Sequence, residues 1–160
     1  MLNGTSSAGK STLVKALRPL LPAPFCHYAS DQLADAGFRT IRRDLQRDER
    51  GRFFDGFHRS IAAFAEAGND LLVEHIVEEQ SWADELTALL QPFDTFWVGV
   101  HAPLEVLEQR ERARGNRQVG EARFHLKTHD FCHYDLEVDT SLGIDEAATK
   151  IVSGWFSRLA

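Results

Sequence analysis

The chain contains few cysteines, no long apolar run and no internal repeat, and each absence narrows the class of protein. Its 160 residues include only Cys26 and Cys132, too few for a disulfide framework, so we expect a reducing, cytoplasmic setting. No apolar run approaches the ~18 residues that a membrane span needs, and no secretory signal precedes the first motif. We therefore expect no membrane partner and one domain over residues 1–160.

An excess of positive charge is also absent. Asp and Glu outnumber Lys and Arg by 24 to 18, which gives a formal net charge of −6, so we do not expect nucleic acid as a general partner. Arginines nevertheless cluster at Arg39–Arg52 and Arg110–Arg123, where each stretch can form a local basic patch. The composition is compatible with a homo-oligomer and does not require one.

Apolar segments of strand length alternate with amphipathic segments. Four strands are predicted at Phe25–Ser30, Asp70–Val77, Phe93–His101 and Tyr134–Ser141. Alternation of this kind predicts an α/β fold with a parallel sheet of about five strands, covered by helices on both faces as a three-layer sandwich. Ligands of such sheets bind at the carboxyl ends of the strands.

Two of the predicted helices have clear apolar faces. The first follows residue 10, and the second ends at Gly68. Their predicted core-facing residues are Leu13, Val14, Leu17, Leu20 and Leu21 in the first, and Phe53, Phe57, Ile61 and Phe64 in the second. Phe54 and His58 lie off the second stripe, where core packing is favoured and a place in a substrate pocket is the alternative.

The segment "GTSSAGKS", Gly4–Ser11, matches the phosphate-loop pattern G-x-x-x-x-G-K-[ST] without a substitution. Its glycines allow backbone N–H groups to face phosphate oxygens, Lys10 can reach the β- and γ-phosphates, and the Ser11 hydroxyl can bind Mg²⁺. On this ground we assign ATP and Mg²⁺ to Gly4, Thr5, Ser6, Ser7, Ala8, Gly9, Lys10, Ser11 and Thr12. Only three residues precede the loop, so either the natural start lies upstream or the first strand is short.

Two other motifs decide among the classes of protein that use such a loop. The N-K-x-D motif by which GTPases read guanine is absent, and the nearest match to a Walker-B strand, "DLLVEH", offers Glu74. A chain of this length fits small-molecule or nucleotide kinases best. Glu74 can hold Mg²⁺ through a water or contact the acceptor, or it can form an ordinary strand-end polar pair with His75.

Asp31 directly follows the second predicted strand, close to where a γ-phosphate should lie. A carboxylate there can act as general base on an acceptor hydroxyl. Alternatively, Ser30 or Asp31 caps the next helix. Position alone favours neither interpretation.

The stretch "QRERARGNRQVG" predicts an arginine-bearing lid over about residues 110–130. Arg114 and Arg117 are predicted to pair with phosphate oxygens, whereas Arg110 and Arg112 are expected on the surface or in helix packing. A solvated charged helix is the alternative. Thr140, after the last strand, is predicted near the nucleotide base, with helix capping as another role for its loop.

Four side chains in "HLKTHDFCH" are metal-ligand types: His125, His129, Cys132 and His133. They can bind zinc, but solvated histidines or a phosphate contact from His129 are favoured over a metal site. The arginines of Arg39–Arg52 lie where the acceptor pocket should be walled. An acceptor with negative charge would suit them if they face the site.

Taken together, these motifs resemble the chloramphenicol phosphotransferase family of small P-loop kinases. The matching pieces are "LNGTSSAGKS", Ser30-Asp31, "FWVGVHAPLEVLEQRERARGNRQVG" and "YDLEVDTS", in family order. The resemblance implies an adenylate-kinase-like P-loop NTPase fold and ATP-dependent phosphorylation of a small-molecule hydroxyl, with antibiotics such as chloramphenicol as candidate acceptors. It places the family's general base at Asp31 and its lid arginine at Arg117.

The predicted catalytic residues are therefore Asp31, Lys10 and Arg117. Two alternatives stay open on the sequence. The acceptor could instead be a nucleotide sugar, a nucleic acid or a protein, as for toxin-like kinases. The chain could also be a nucleotide-binding module that acts through a partner protein without transferring a phosphoryl group.

Overall fold

A computed structural model describes residues 1–38, 46–114 and 120–158, and of residues 46–48 it describes the backbone. Strands and helices alternate along these residues, with short 3₁₀ turns at Arg18–Leu20 and His125–Lys127. The elements are β1 (Leu2–Asn3), α1 (Lys10–Leu17), β2 (Cys26–Ala29), α2 (Ser30–Asp35), α3 (Gln46–Glu66), β3 (Leu71–His75), α4 (Gln80–Leu90), β4 (Val98–His101), α5 (Leu104–Arg114), α6 (Glu121–Phe124), α7 (Thr128–Phe131), β5 (Leu136–Asp139) and α8 (Ile144–Ser157).

The strands form one sheet in the order β2-β3-β1-β4-β5, and every neighbouring pair is parallel. This confirms the predicted parallel sheet of about five strands. The central strand β1 is only two residues long, and Leu2 pairs with Glu74 on one side and Val98 on the other. The phosphate-loop segment therefore leaves the sheet at the middle of its carboxyl edge.

Helices cover both faces of the sheet and bury one apolar cluster on each. One cluster joins Leu13 and Val14 of α1 to Ile151 of α8, and the other joins Phe57 of α3 to Leu86 of α4. Burial of each such side chain contributes about 1.5–3 kcal/mol. The predicted three-layer arrangement is therefore present.

The two helix faces differ from the prediction in detail. Helix α1 ends at Leu17, and Leu20 is 47% exposed, because Pro19 lacks the N–H that would continue the α-helical ladder. In α3 the buried stripe is Phe54, Phe57, His58 and Ile61, while Phe64 is 48% exposed. The stripe is shifted because a histidine, which counts as polar in the sequence, is buried by bonding to other polar side chains.

Within the described residues, none of the helices is both long enough and apolar enough to cross a lipid bilayer.

Candidate active site

The phosphate-loop segment Gly4–Ser11 curls between the end of β1 and the start of α1. Ser7 and Gly9 have φ angles of 64° and 91°, a left-handed conformation that suits glycine and that Ser7 adopts at some cost. Gly4 is fixed by packing, since a Cβ there would lie 2.3 Å from the Val100 carbonyl oxygen. The loop therefore ends at the positive end of α1, a place where anions bind.

Lys10 and Ser11 begin α1 with their side chains in the site. The Lys10 ammonium donates to the carbonyl oxygens of Gly4 at 2.7 Å and Thr5 at 3.0 Å. The Ser11 hydroxyl donates to the Glu74 carboxylate at 2.9 Å. Ser11 and Glu74 thus bring a hydroxyl and a carboxylate oxygen together, the donor types that Mg²⁺ prefers. The residues present fit a magnesium ion, and the predicted metal roles of both side chains stay predictions.

Glu74 is 8% exposed and bonds on both of its oxygens. While one oxygen accepts from Ser11, the other accepts from His27 Nε2 at 2.9 Å. The other ring nitrogen of His27 lies 3.1 Å from the Gln32 side-chain nitrogen, and the Gln32 side-chain oxygen accepts from the Ala29 N–H at 3.0 Å. A continuous chain of hydrogen bonds therefore connects the Glu74 carboxylate to the start of α2.

Asp31 is the second residue of α2 and lines the same cavity as Lys10, Ser11 and Glu74. At the start of this helix, the Gln32 side-chain oxygen accepts a hydrogen bond from the Ala29 N–H. Ser30 and Asp31 lie inside the helix rather than before it, so the capping alternative does not describe them. The position of Asp31 fits the predicted general base, which stays a prediction.

The sequence interpretation missed Arg110. Its guanidinium donates to the Thr140 hydroxyl at 2.9 Å and to the Thr140 carbonyl at 3.1 Å. Thr140 in turn donates to the Ala8 carbonyl at 2.6 Å. Arg110 therefore supports the phosphate loop through Thr140, although it was expected on the surface or in helix packing. Arg110 lies four residues before Arg114, so both share one helix face. This spacing was the sequence signal that could have placed Arg110 near the site.

Thr140 is 3% exposed, and its described contacts support the loop. Its predicted contact with the nucleotide stays a prediction. Thr5 has a comparable supporting bond, because its hydroxyl donates to the Ala122 carbonyl at 2.6 Å. Both threonines thus bind the loop to neighbouring elements, Thr140 to the end of β5 and Thr5 to α6.

Of the two lid arginines, Arg114 ends α5 and lines the cavity, whereas Arg117 lies outside the described residues. Glu111, one residue after Arg110, is buried and accepts from the N–H groups of Gly120 at 2.8 Å and Ala122 at 2.9 Å. These hydrogen bonds hold the pKa of the Glu111 carboxyl below its usual range. Helix α5 is therefore connected both to the phosphate loop and to α6.

The histidine-rich segment is divided between two places. His125 lines the cavity, whereas His129 stacks on His101 with ring centroids 3.8 Å apart and lies 2.9 Å from the Tyr134 hydroxyl. Within residues 1–38, 46–114 and 120–158, no three His, Cys, Asp or Glu side chains are arranged to hold a metal ion. Cys26 and Cys132 are free thiols.

His75, at the carboxyl end of β3, forms a buried pair with His58 of α3 that the sequence did not indicate. His58 and His75 are 0% and 2% exposed, and their Nε2 atoms lie 3.0 Å apart. Phe54, Phe57 and Trp82 surround them. Glu74 and His75 point to opposite faces of the sheet, as alternation along a strand requires, so neighbouring residues serve different parts of the site.

A parallel sheet with this loop, lysine and carboxylate at its edge defines a P-loop nucleotide-binding protein of the kinase type. The profile of the family "Chloramphenicol phosphotransferase-like protein" matches residues 1–155. The chain therefore belongs to that family, and the predicted membership is confirmed.

Curated relatives are consistent with this assignment. The Mycobacterium tuberculosis protein Rv2636, a candidate O-phosphotransferase, is 24% identical over 166 residues, which cover 88% of this chain and 74% of that protein. These comparisons support a phosphotransferase.

Solved structures confirm the fold. APS kinase CysC of Mycobacterium tuberculosis, in complex with AMPPNP and APS, superposes with a TM-score of 0.72 at 18% identity over 96% of this chain and 94% of that one. Shikimate kinase of Acinetobacter baumannii, in complex with shikimate, superposes with a TM-score of 0.67 at 20% identity, over 98% of this chain and 92% of that one. The tunicamycin resistance protein of Deinococcus radiodurans superposes with a TM-score of 0.69 at 21% identity, over 95% of this chain and 91% of that one. The predicted adenylate-kinase-like P-loop fold is thereby shown.

Proposed function

We propose that this protein is an ATP-dependent kinase that phosphorylates a hydroxyl group of a small molecule. The observation that carries the proposal is the meeting of Lys10, Ser11, Glu74 and Asp31 around one cavity of about 270 Å³ at the carboxyl edge of the sheet. Phosphate-binding groups and a carboxylate suited to be a base thus share one space, as phosphoryl transfer requires.

In the proposed reaction, Asp31 accepts the proton of the acceptor hydroxyl. The acceptor oxygen forms a bond to the γ-phosphorus while the bond from that phosphorus to the β–γ bridging oxygen breaks, and ADP leaves. Lys10 stabilises negative charge on the phosphoryl oxygens, and Arg114, which lines the cavity, is proposed to do the same. Ser11 and Glu74 would hold Mg²⁺, which neutralises phosphate charge when bound.

Family membership favours a small-molecule hydroxyl, and it makes chloramphenicol and other antibiotics reasonable members of a test panel. Two free cysteines suit the reducing cytoplasm, where we propose that the enzyme acts. The predicted role of Arg117 and the homo-oligomer stay predictions.

The proposal is tested by incubating the protein with ATP, Mg²⁺ and a library of hydroxyl compounds, chloramphenicol included. Mass spectrometry should show a gain of one phosphoryl group on at least one compound and release of ADP. A protein that binds ATP but leaves every compound unchanged would instead favour a nucleotide-binding module.

Two substitutions separate the roles of Lys10 and Asp31. Lys10→Ala should abolish transfer and strongly weaken ATP binding, because the ammonium contacts the donor phosphates. Asp31→Asn should lower kcat by about 10²–10⁴-fold with ATP affinity nearly unchanged, because a general base acts only on the acceptor. Asp35→Asn, on the same helix and exposed, is the control and should behave as wild type. Full activity of Asp31→Asn would eliminate the proposed base.

A further inference from the structure

Two side chains beside the phosphate-loop cavity support its lining without belonging to it. Ala29, Asp31 and Glu74 are among the described residues that line the cavity, whereas His27 and Gln32 are not. Both nevertheless bond to lining residues, His27 to the Glu74 carboxylate and Gln32 to the Ala29 N–H. The proposed transfer reaction uses neither side chain directly.

The register of the sheet brings His27 next to Glu74. Strand β2 lies at one edge of the sheet, beside β3, and His27 pairs with Leu72 while Ala29 pairs with Glu74. Directly paired residues share a face of the sheet, and so do residues two apart on one strand. His27 and Glu74 therefore lie on the same face. Leu72 packs against the apolar cluster of α1, so this is also the face from which Ser11 reaches Glu74.

The imidazole of His27 is bonded at both nitrogens. Its Nε2 lies 2.9 Å from one Glu74 oxygen, and its Nδ1 lies 3.1 Å from the Gln32 side-chain nitrogen. The Gln32 side-chain oxygen accepts from the Ala29 N–H at 3.0 Å, which decides which end of the amide faces His27. The ring cannot rotate or withdraw without losing a hydrogen bond, so the first turn of α2 sets its position.

The orientation of the Glu74 carboxylate depends on its two partners. Ser11 donates to one oxygen at 2.9 Å, and His27 bonds to the other. The Glu74 side chain is only 10% exposed, so without the imidazole one buried oxygen loses its partner and the carboxylate can turn about its last torsion.

Such partners matter most where a carboxylate binds a metal. Carboxylates that ligate metals are themselves hydrogen-bonded, and removal of an outer partner typically costs about 10–100-fold in metal affinity or activity. His27 stands in this relation to Glu74, since it bonds to the carboxylate and does not line the cavity.

We propose that His27 is a positioning residue for the metal side of the site. It holds the Glu74 carboxylate in the orientation that binds Mg²⁺, and Gln32 fixes His27 to the first turn of α2. The proposal rests on the proposed kinase function, in which Glu74 would hold Mg²⁺. The start of the helix that carries Asp31 and the Glu74 carboxylate are then joined by one chain of hydrogen bonds.

His27→Phe tests the proposal, because phenylalanine keeps a ring at this position and lacks both nitrogens. Titration calorimetry measures ATP affinity in Mg²⁺ and in EDTA, and the ratio of the two affinities isolates the contribution of the metal. We expect this ratio to fall by about tenfold in His27→Phe, with the affinity in EDTA close to wild type. His133→Phe, the same change at an exposed histidine, is the control and should keep the wild-type ratio. An unchanged ratio in His27→Phe would overturn the proposal.

His27→Gln separates the hydrogen bond from packing. The amide nitrogen of glutamine can reach the place of His27 Nε2 and donate to Glu74, although the bond to Gln32 is lost. The affinity ratio should therefore recover part of the loss seen in His27→Phe. A ratio as low as that of His27→Phe would contradict the proposal, because the bond to Glu74 would then have no effect on metal binding.

A double-mutant cycle with Glu74→Gln tests the route of the effect. Because His27 is proposed to act through Glu74, the variant with both His27→Phe and Glu74→Gln should lose no more of the affinity ratio than Glu74→Gln alone. Losses that add would mean that His27 acts by another route, and the proposal would be wrong.

Gln32→Ala tests the end of the chain at α2. We expect faster hydrogen exchange at the Ala29 N–H, which loses its partner, and a smaller fall in the affinity ratio than in His27→Phe. Gln91→Ala, at the exposed residue that follows α4, is the matched control. A wild-type ratio in Gln32→Ala would overturn the role assigned to Gln32.

These measurements need no acceptor, so they do not depend on whether transfer is found. Absence of transfer to every compound would count against the kinase, while the affinity ratios would still decide the role of His27. Transfer by the wild-type protein together with an unchanged ratio in His27→Phe would overturn the positioning role and leave the kinase standing.

Discussion

At the scale of single residues, Glu74 is the residue whose hydrogen bonds connect the phosphate loop to the neighbouring strands. Its two oxygens bond to Ser11 and His27, so its carboxylate is held at the point where the phosphate loop meets β3. A buried carboxylate needs hydrogen-bond partners in either role, so the metal-holding role stays a proposal that substitution can test.

Glu74→Gln tests this role, because the amide can keep hydrogen bonds to Ser11 and His27 but loses the negative charge. We expect ATP affinity in the presence of Mg²⁺ to fall by about tenfold or more, with little change in EDTA. Titration calorimetry under both conditions provides the measurement. Glu66→Gln, an exposed site at the end of α3, is the charge-matched control. Equal loss with and without Mg²⁺ would argue against a metal role.

Gly4 shows how packing rather than turn conformation selects a residue. Gly4→Ala would place a methyl group 2.3 Å from the Val100 carbonyl oxygen, a backbone atom that cannot rotate away. We expect loss of about 1–3 kcal/mol in the free energy of unfolding, measured by urea titration. Gly56→Ala is the matched control, since open space surrounds Gly56 inside α3. It should stabilise the protein by about 0.5–1 kcal/mol.

At the scale of elements, α5 connects the phosphate loop to α6. Arg110 bonds to Thr140 behind the phosphate loop, and the adjacent Glu111 accepts from the backbone at Gly120 and Ala122. Two consecutive residues on one helix therefore secure two different segments. A displacement of α5 would therefore change the contacts of both the phosphate loop and α6.

Arg110→Ala should release the loop from this support. We expect ATP affinity to fall by about tenfold, because both Thr140 oxygens lose the Arg110 guanidinium as a partner. The bond from Thr140 to the Ala8 carbonyl is then the contact that remains between Thr140 and the loop. Arg110→Lys should not restore affinity, since an ammonium cannot donate to both Thr140 oxygens in the same geometry. Arg112→Ala, an exposed neighbour on the same helix, is the control. An Arg110→Ala protein with wild-type ATP affinity would show that the contact is dispensable.

At the scale of the whole molecule, alternation of apolar and amphipathic segments was sufficient to predict a parallel sheet covered on both faces. It could not give the strand order, because the order depends on crossovers that leave no local signal. The two-residue β1 also gives no periodic pattern, and its central position follows only from pairing with β3 and β4.

The donor half of the site was predictable because the phosphate loop is a contiguous motif. The bonded pair of His58 and His75 was not predictable, since the two residues are far apart in sequence and His58 was assigned to core packing, with a substrate pocket as the alternative. Arg110 was missed for a related reason. On a helix so rich in charge, sequence does not distinguish an arginine that reaches inward from one that faces solvent.

The buried histidines together give the molecule a pH dependence of known sign. Burial lowers the pKa of His129 to about 4, with lesser effects from the charges of His101 and Lys10, against an ordinary value of 6.5. Above pH 6.5 the ring is neutral in both the folded and the unfolded chain. Between 6.5 and about 4, the unfolded chain binds a proton that the folded chain does not, so stability falls as pH falls.

His129→Asn isolates this contribution, because the Asn side-chain oxygen can still accept from the Tyr134 hydroxyl but cannot be protonated. We expect the free energy of unfolding, measured by urea titration across this pH range, to fall less steeply with decreasing pH in the variant than in wild type. His58 and His75 keep part of the slope in both proteins, because their pKa values are also lowered. Curves that stay parallel from pH 6.5 to 4 would mean that the folded protein takes up a proton at His129 as readily as the unfolded chain does.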